Sequence, residues 1–132
     1  MSHYHAVVWL DHAEARVFQF NQEDVEKFTV HGHKHHLHHK ASSVVGSGRE
    51  PADLAFYVEI GHALAGSSEI LVLGPGAAKL EFIRHVHKAM PELEPKIVGV
   101  ETVDHPTDGQ VVAYARKYFH AKDRMRPLLQ TH

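Results

Sequence analysis

The run Glu69 to Leu73 (E-I-L-V-L) constrains the fold of this chain more than any other segment. It is short and mostly apolar, with serines before it and Gly74-Pro75-Gly76 after it, the pattern of a strand covered on both faces. Such a strand requires layers of structure above and below it, and its neighbours supply them. Pro51 can open a helix at no hydrogen-bonding cost; Leu54, Phe56, Val58, Ile60 and Leu64 follow at helical spacings and Gly66 ends it. The glycine-proline turn leads into a second helix from about Ala77 to Met90, with Pro91 and Pro95 bracketing its exit. Lys96 to Thr102 (K-I-V-G-V-E-T) reads as a last strand. Thr107, with Gln110 three residues on, forms a capping box for a third helix carrying Val111, Val112, Tyr114, Ala115, Tyr118 and Phe119.

Upstream the period changes from helical to alternating. His5 to Leu10 is apolar and β-branched, Asp11-His12 breaks it, and Ala15 to Phe20 alternates as a half-buried strand does. After a turn at Asn21 to Asp24, Val25 to His31 alternates again, which predicts a three-stranded antiparallel meander. The order β-β-β-α-β-α-β-α predicts a single α/β domain: a mixed sheet of the meander plus two crossover strands, helices on its faces, a plan shared by ribonuclease H-like domains. The domain is expected over residues 1–121. Residues 122–132 carry charge, a proline and no clear period, and are expected to form a loose tail.

The longest stretch without a hydrophobic period, residues 31–50, holds the most unusual chemistry. Six of the nine residues from His31 to His39 (H-G-H-K-H-H-L-H-H) are histidine, and Gly32, Gly46 and Gly48 free the backbone. Histidine changes charge near neutral pH, so the net charge of −2, counted with fifteen neutral histidines, becomes positive as they protonate. The loop then turns cationic beside a polyanion. Neutral imidazoles also suit zinc or nickel: His31, His33 and His35 share a face if extended, His35 and His39 if helical. Metal binding by these four is the alternative reading of the loop; no cofactor is required by the rest of the chain.

Other chemistries find less support. The chain has no cysteine, which excludes disulfides, thiolate metal sites and a cysteine nucleophile. It has no apolar run of membrane-spanning length and no signal-peptide start, so a cytoplasmic address without membrane contact is expected. Gly74 to Lys79 (G-P-G-A-A-K) lacks the spacing of a nucleotide-binding P-loop. A nuclease needs convergent carboxylates, and the first strand has none before Asp11. Arg84, His85, His87 and Lys88 form a basic patch on the second crossover helix, with Arg116 and Lys117 on the third.

With these residues placed, the chain resembles the central domain of eukaryotic and archaeal peptide-chain release factors and of Pelota-type ribosome-rescue proteins. It is more similar still to small bacterial stand-alone relatives described as translational machinery proteins. The resemblance runs from about Ala6 to Phe119. It rests on the meander ending in Phe28-Thr29-Val30, the long loop before a helix, the L-V-L-G-P-G-A-A-K turn at Leu71 to Lys79, and D-H-P-T-D at Asp104 to Asp108. In release factors the corresponding loop carries a Gly-Gly-Gln tripeptide that promotes peptidyl-tRNA hydrolysis. Here Gly46-Ser47-Gly48-Arg49 keeps the flexible, basic character without the glutamine. The resemblance therefore implies a non-catalytic protein, with a ribosome or structured RNA rather than DNA as partner. The residues expected to meet RNA are Lys34, His35, His36, His38, His39, Lys40, Gly46, Gly48 and Arg49 in the loop, with Lys79, Arg84 and Lys88 on the second crossover helix. The oligomeric state is left open, a dimer paired through strand edges among the alternatives.

Overall fold

In the computed structural model, which describes residues 5–20, 24–32 and 51–130, strand β1 (His5–Leu10) lies at the middle of a five-stranded sheet. It pairs antiparallel with β2 (Glu14–Phe20) on one side and parallel with β4 (Glu69–Gly74) on the other. β3 (Val25–His31) extends the sheet beyond β2 and β5 (Ile97–Thr102) beyond β4, giving the order β3-β2-β1-β4-β5. Among the described residues three α-helices follow from the same pattern: α1 (Pro51–Leu64), α2 (Ala78–Ala89) and α3 (Asp108–Gln130). The mixed α/β architecture anticipated from the order of segments is the one observed.

The two-sided strand explains why the sheet needs helices on both faces. In β1, Ala6, Val8 and Leu10 point into one core with Phe56, Ile60 and Leu64 of α1 and Phe82 and Val86 of α2. Val7 and Trp9 point the other way, toward Val111, Ala115 and Phe119 of α3. β4 divides in the same fashion, Ile70 and Val72 facing α1 and α2, Leu71 and Leu73 facing α3. Period-two alternation with both faces buried is what turns these strands into continuous apolar runs. Among the described residues no helix is long and apolar enough to cross a membrane.

Two local features fix how the elements meet. A Cβ on Gly74 would lie 2.4 Å from the Leu10 carbonyl oxygen, so the end of β4 approaches β1 more closely than any side chain allows. At the start of α3 the Gln110 N–H donates to Thr107 Oγ1 at 3.1 Å and the Thr107 N–H to Gln110 Oε1 at 2.9 Å, the reciprocal capping box read from the sequence. The far end of α3 differs from expectation. The helix continues to Gln130, so residues 122–130, expected as part of a loose tail, are helical. Charge masks any apolar period there, yet Ala121, Lys122, Arg124, Met125 and Arg126 are all good helix formers, and propensity carries the helix on into Pro127.

Candidate nucleic-acid interface

β1, β3, β4 and β5 run in one direction and only β2 opposes them. Their carboxyl ends therefore gather at one end of the sheet. The β1–β2 hairpin at 11–13, the exit of β3 at His31, the turn after Gly74 and the segment 103–107 all leave from that end. α2 and α3 begin there, and α1, which closes five residues before β4 starts, must begin there too. Crevices outside the carboxyl ends of strands are the usual ligand positions in such sheets, and helix amino termini favour anions.

The histidine-rich segment leaves from this end. His31 is exposed at the last position of β3, and the Gly32 N–H donates to the Ala13 carbonyl at 2.8 Å, tying the exit of β3 to the β1–β2 hairpin. Two further histidines stand nearby. His12, in that hairpin, has Nε2 3.2 Å from Glu81 Oε1, which also accepts a 2.9 Å hydrogen bond from the Tyr57 hydroxyl. His105 has Nε2 3.6 Å from Asp11 Oδ2 and Nδ1 3.2 Å from Asp104 Oδ1, its ring 5.1 Å from that of Trp9.

Among the described residues, the acids at this end are engaged. Asp11 Oδ1 accepts the N–H groups of Ala13 and Glu14 at 2.8 and 2.9 Å. Partial burial pushes its carboxyl upward, but those two donors and His105 outweigh it and hold the pKa below the ordinary value. Asp108 accepts from Lys27 Nζ at 2.6 Å and Arg16 Nη1 at 2.8 Å, and these bonds lower its pKa. Arg16 also donates to the Pro106 carbonyl at 3.1 Å and lies 4.5 Å above the Trp9 ring, while the indole N–H of buried Trp9 donates to the Asp104 carbonyl at 2.8 Å. Asp104 to Asp108 is thus clamped to the sheet by Trp9 and Arg16. Among the described residues no three histidines or acids are grouped as a metal ion would require.

The residues singled out from the sequence are dispersed. His33, Lys34, His35, His36, His38, His39, Lys40, Gly46, Gly48 and Arg49 lie outside the described residues, so only His31 of the four metal-ligand candidates can be located. Lys79 is only 6% exposed, and its Nζ donates to the Gly76 carbonyl at 2.7 Å. That contact spends the ammonium on holding the strand-to-helix turn. Arg84 and Lys88 are exposed on successive turns of α2, with Lys88 about 15 Å along the helix from its start. His12 and His105 were not anticipated. Each sits in a polar break of the sequence, and only the parallel alignment of β1 with β4 and β5 brings both to the loop's root.

No family model matches this chain, and no curated protein does. Solved structures do share its fold. It is similar to Pelota of Archaeoglobus fulgidus (TM-score 0.61, 17% identity, 86% of this chain and 31% of that one). It is also similar to Pelota of Thermoplasma acidophilum (0.58, 20%, 84% and 31%). An archaeal translation termination factor, aRF1, matches at 0.57 and 15% identity over 95% of this chain and 39% of that one. The chain thus spans about a third of the length of each, and what it shares with them is the fold of one domain.

Proposed function

We propose that this protein is a non-catalytic, RNA-facing component of translation that associates with ribosomes in a release-like, rescue or hibernation-like role. The observation that carries the reading is that the exit of β3 into the histidine-rich segment lies at the sheet end where helices begin and where His12 and His105 stand. The fold shared with an archaeal translation termination factor supports the same reading. In it, residues 31–49 approach RNA, with histidines, Lys34, Lys40 and Arg49 meeting phosphates or stacking on bases. The absence of a Gly-Gly-Gln tripeptide from the loop and the separate engagement of the carboxylates argue for binding rather than hydrolysis.

Co-sedimentation with ribosomes at low salt tests the proposal, comparing the intact chain with one whose residues 33–48 are replaced by a short Gly/Ser linker. Loop-dependent binding that weakens with salt and with rising pH is expected. Failure of the intact chain to sediment would remove the ribosome from the account. The histidine density of the loop favours a second reading, a metal-binding or metal-sensing module using His31, His33, His35 and His39. Stoichiometric zinc or nickel retained after dialysis, in protein purified without a metal column, is its signature.

A further inference from the structure

A separate feature runs along α3 toward the opposite end of the sheet. A cleft of about 920 Å³ is lined by His5 at the start of β1, Phe20 at the end of β2, and Tyr114, Arg116, Lys117 and His120 along α3. Its lining on α3 runs from Gln110 to His120, about 15 Å of helix. The floor is apolar and well packed: Phe20 and Phe119 are buried, the His5 ring lies 4.3 Å from the Phe119 ring, and His5 Nε2 is 3.3 Å from Glu69 Oε1.

The rim is cationic, and its cations differ from those at the loop's root. Arg16 and Lys27 are consumed by Asp108. Arg116 and Lys117 form no ion pair with any described residue; Arg116 instead lies 5.4 Å above the Phe20 ring. Adjacent cations that pair with no described acid, kept on one helix, make a site for a polyanion. Tyr114 adds an aromatic ring that is 38% exposed and anchored by its hydroxyl bond to Glu101. A groove that joins phosphate-binding cations to an exposed aromatic ring is how single-stranded nucleic acids are bound without sequence preference.

We propose that this cleft binds single-stranded RNA, with phosphates on Arg116 and Lys117 and a base against Tyr114. The choice of RNA over another polyanion rests on the translation reading, but the site does not depend on the histidine loop. The histidine-rich segment leaves from the end of the sheet where α3 begins, whereas Arg116 and Lys117 lie about 12–14 Å further along α3. The protein thus offers RNA two separate contacts.

Fluorescence anisotropy of a labelled oligouridylate, titrated with the full chain at low salt, tests this. The double substitution Arg116→Gln/Lys117→Gln should weaken binding about tenfold. It should also reduce the steepness of the salt dependence by about 1.4 in log–log slope, since two phosphates would keep their counterions. Tyr114→Leu should weaken binding about fivefold or more with the slope unchanged. Since Arg116 packs on Phe20, Lys117→Gln alone, with half the slope change, guards against a folding defect, and thermal melting checks each variant. Binding by the double variant equal to that of the parent overturns the proposal, as does no binding by the parent. Labelled polyglutamate bound as tightly as the oligouridylate overturns it in favour of an acidic protein partner. If the loop-replaced chain keeps its oligouridylate affinity but no longer co-sediments with ribosomes, the cleft is supported and both contacts are separable. If loop replacement abolishes oligouridylate binding while the double variant retains it, the cleft is refuted and the loop reading stands.

Discussion

Asp108 opens α3 and, through Lys27 and Arg16, ties that helix to β3 and β2. These partners lower its pKa, so the folded state binds its proton more weakly than the unfolded chain does. The contribution to stability is therefore present above the unfolded value near 3.8 and is lost as pH falls through the folded value. Asp108→Asn should cost up to about 1 kcal/mol at neutral pH, given the exposure of the pair with Lys27, and should flatten the acid limb of the stability curve. Urea unfolding at neutral pH and near pH 3 measures both. Tyr114 behaves in the opposite sense. Its hydrogen bond to Glu101, reinforced by burial, pushes the phenol from 10.0 to about 12. The folded state holds this proton longer, so the contribution is present below pH 10 and is lost as pH rises toward about 12. Glu101→Gln should return the phenol toward its ordinary value, as followed by phenolate absorbance. The capping pair Thr107–Gln110 could be read from the sequence because its partners are three residues apart. Neither Asp108–Lys27 nor Tyr114–Glu101 could, because a fold rather than a spacing brings them together.

At the scale of elements, β4 and the turn after it are the most demanding part of the chain. Every residue from Ile70 to Gly74 is buried, and at Gly74 the backbone reaches the Leu10 carbonyl. Gly74→Ala should destabilise the protein by about 2–4 kcal/mol, since the added methyl meets backbone and β4 must shift from β1. Denaturant unfolding would show it, with the spectrum of the native state retained. The element limits were legible because period two gives way to period 3.6 at residue 51 and glycine, proline and serine mark the breaks. The extension of α3 to Gln130 was not legible, because a charged, aperiodic stretch with a proline resembles a tail unless its helix propensity is weighed. The role of Asp104 to Asp108 was missed for a different reason. The segment looks like capping alone until Trp9 and Arg16, nearly a hundred residues earlier, are found holding its backbone.

Across the whole molecule, two cores share one sheet, and the described residues that form them come from the strands and the three helices, with Met90 and Leu93 beside them. Replacing residues 33–48 with a short flexible linker should therefore leave the far-ultraviolet spectrum unchanged and alter stability by less than about 1 kcal/mol, because closure entropy varies slowly with loop length. Thermal melting of the replaced chain checks this, and makes any loss of ribosome binding attributable to the loop. The sequence by itself determined the order and kind of the elements, the mixed sheet and the chemistry of the loop, because hydrophobic period, turn residues and composition are local properties. Tertiary structure alone decided which charges remain available. It buried Lys79 against Gly76, gathered His12, His31 and His105 around one end of the sheet, consumed Arg16 and Lys27 on Asp108, and left Arg116 and Lys117 beside an open cleft. The physical reason is that a side chain's charge is written in the sequence, whereas its burial and its partners depend on residues the sheet register brings from far along the chain.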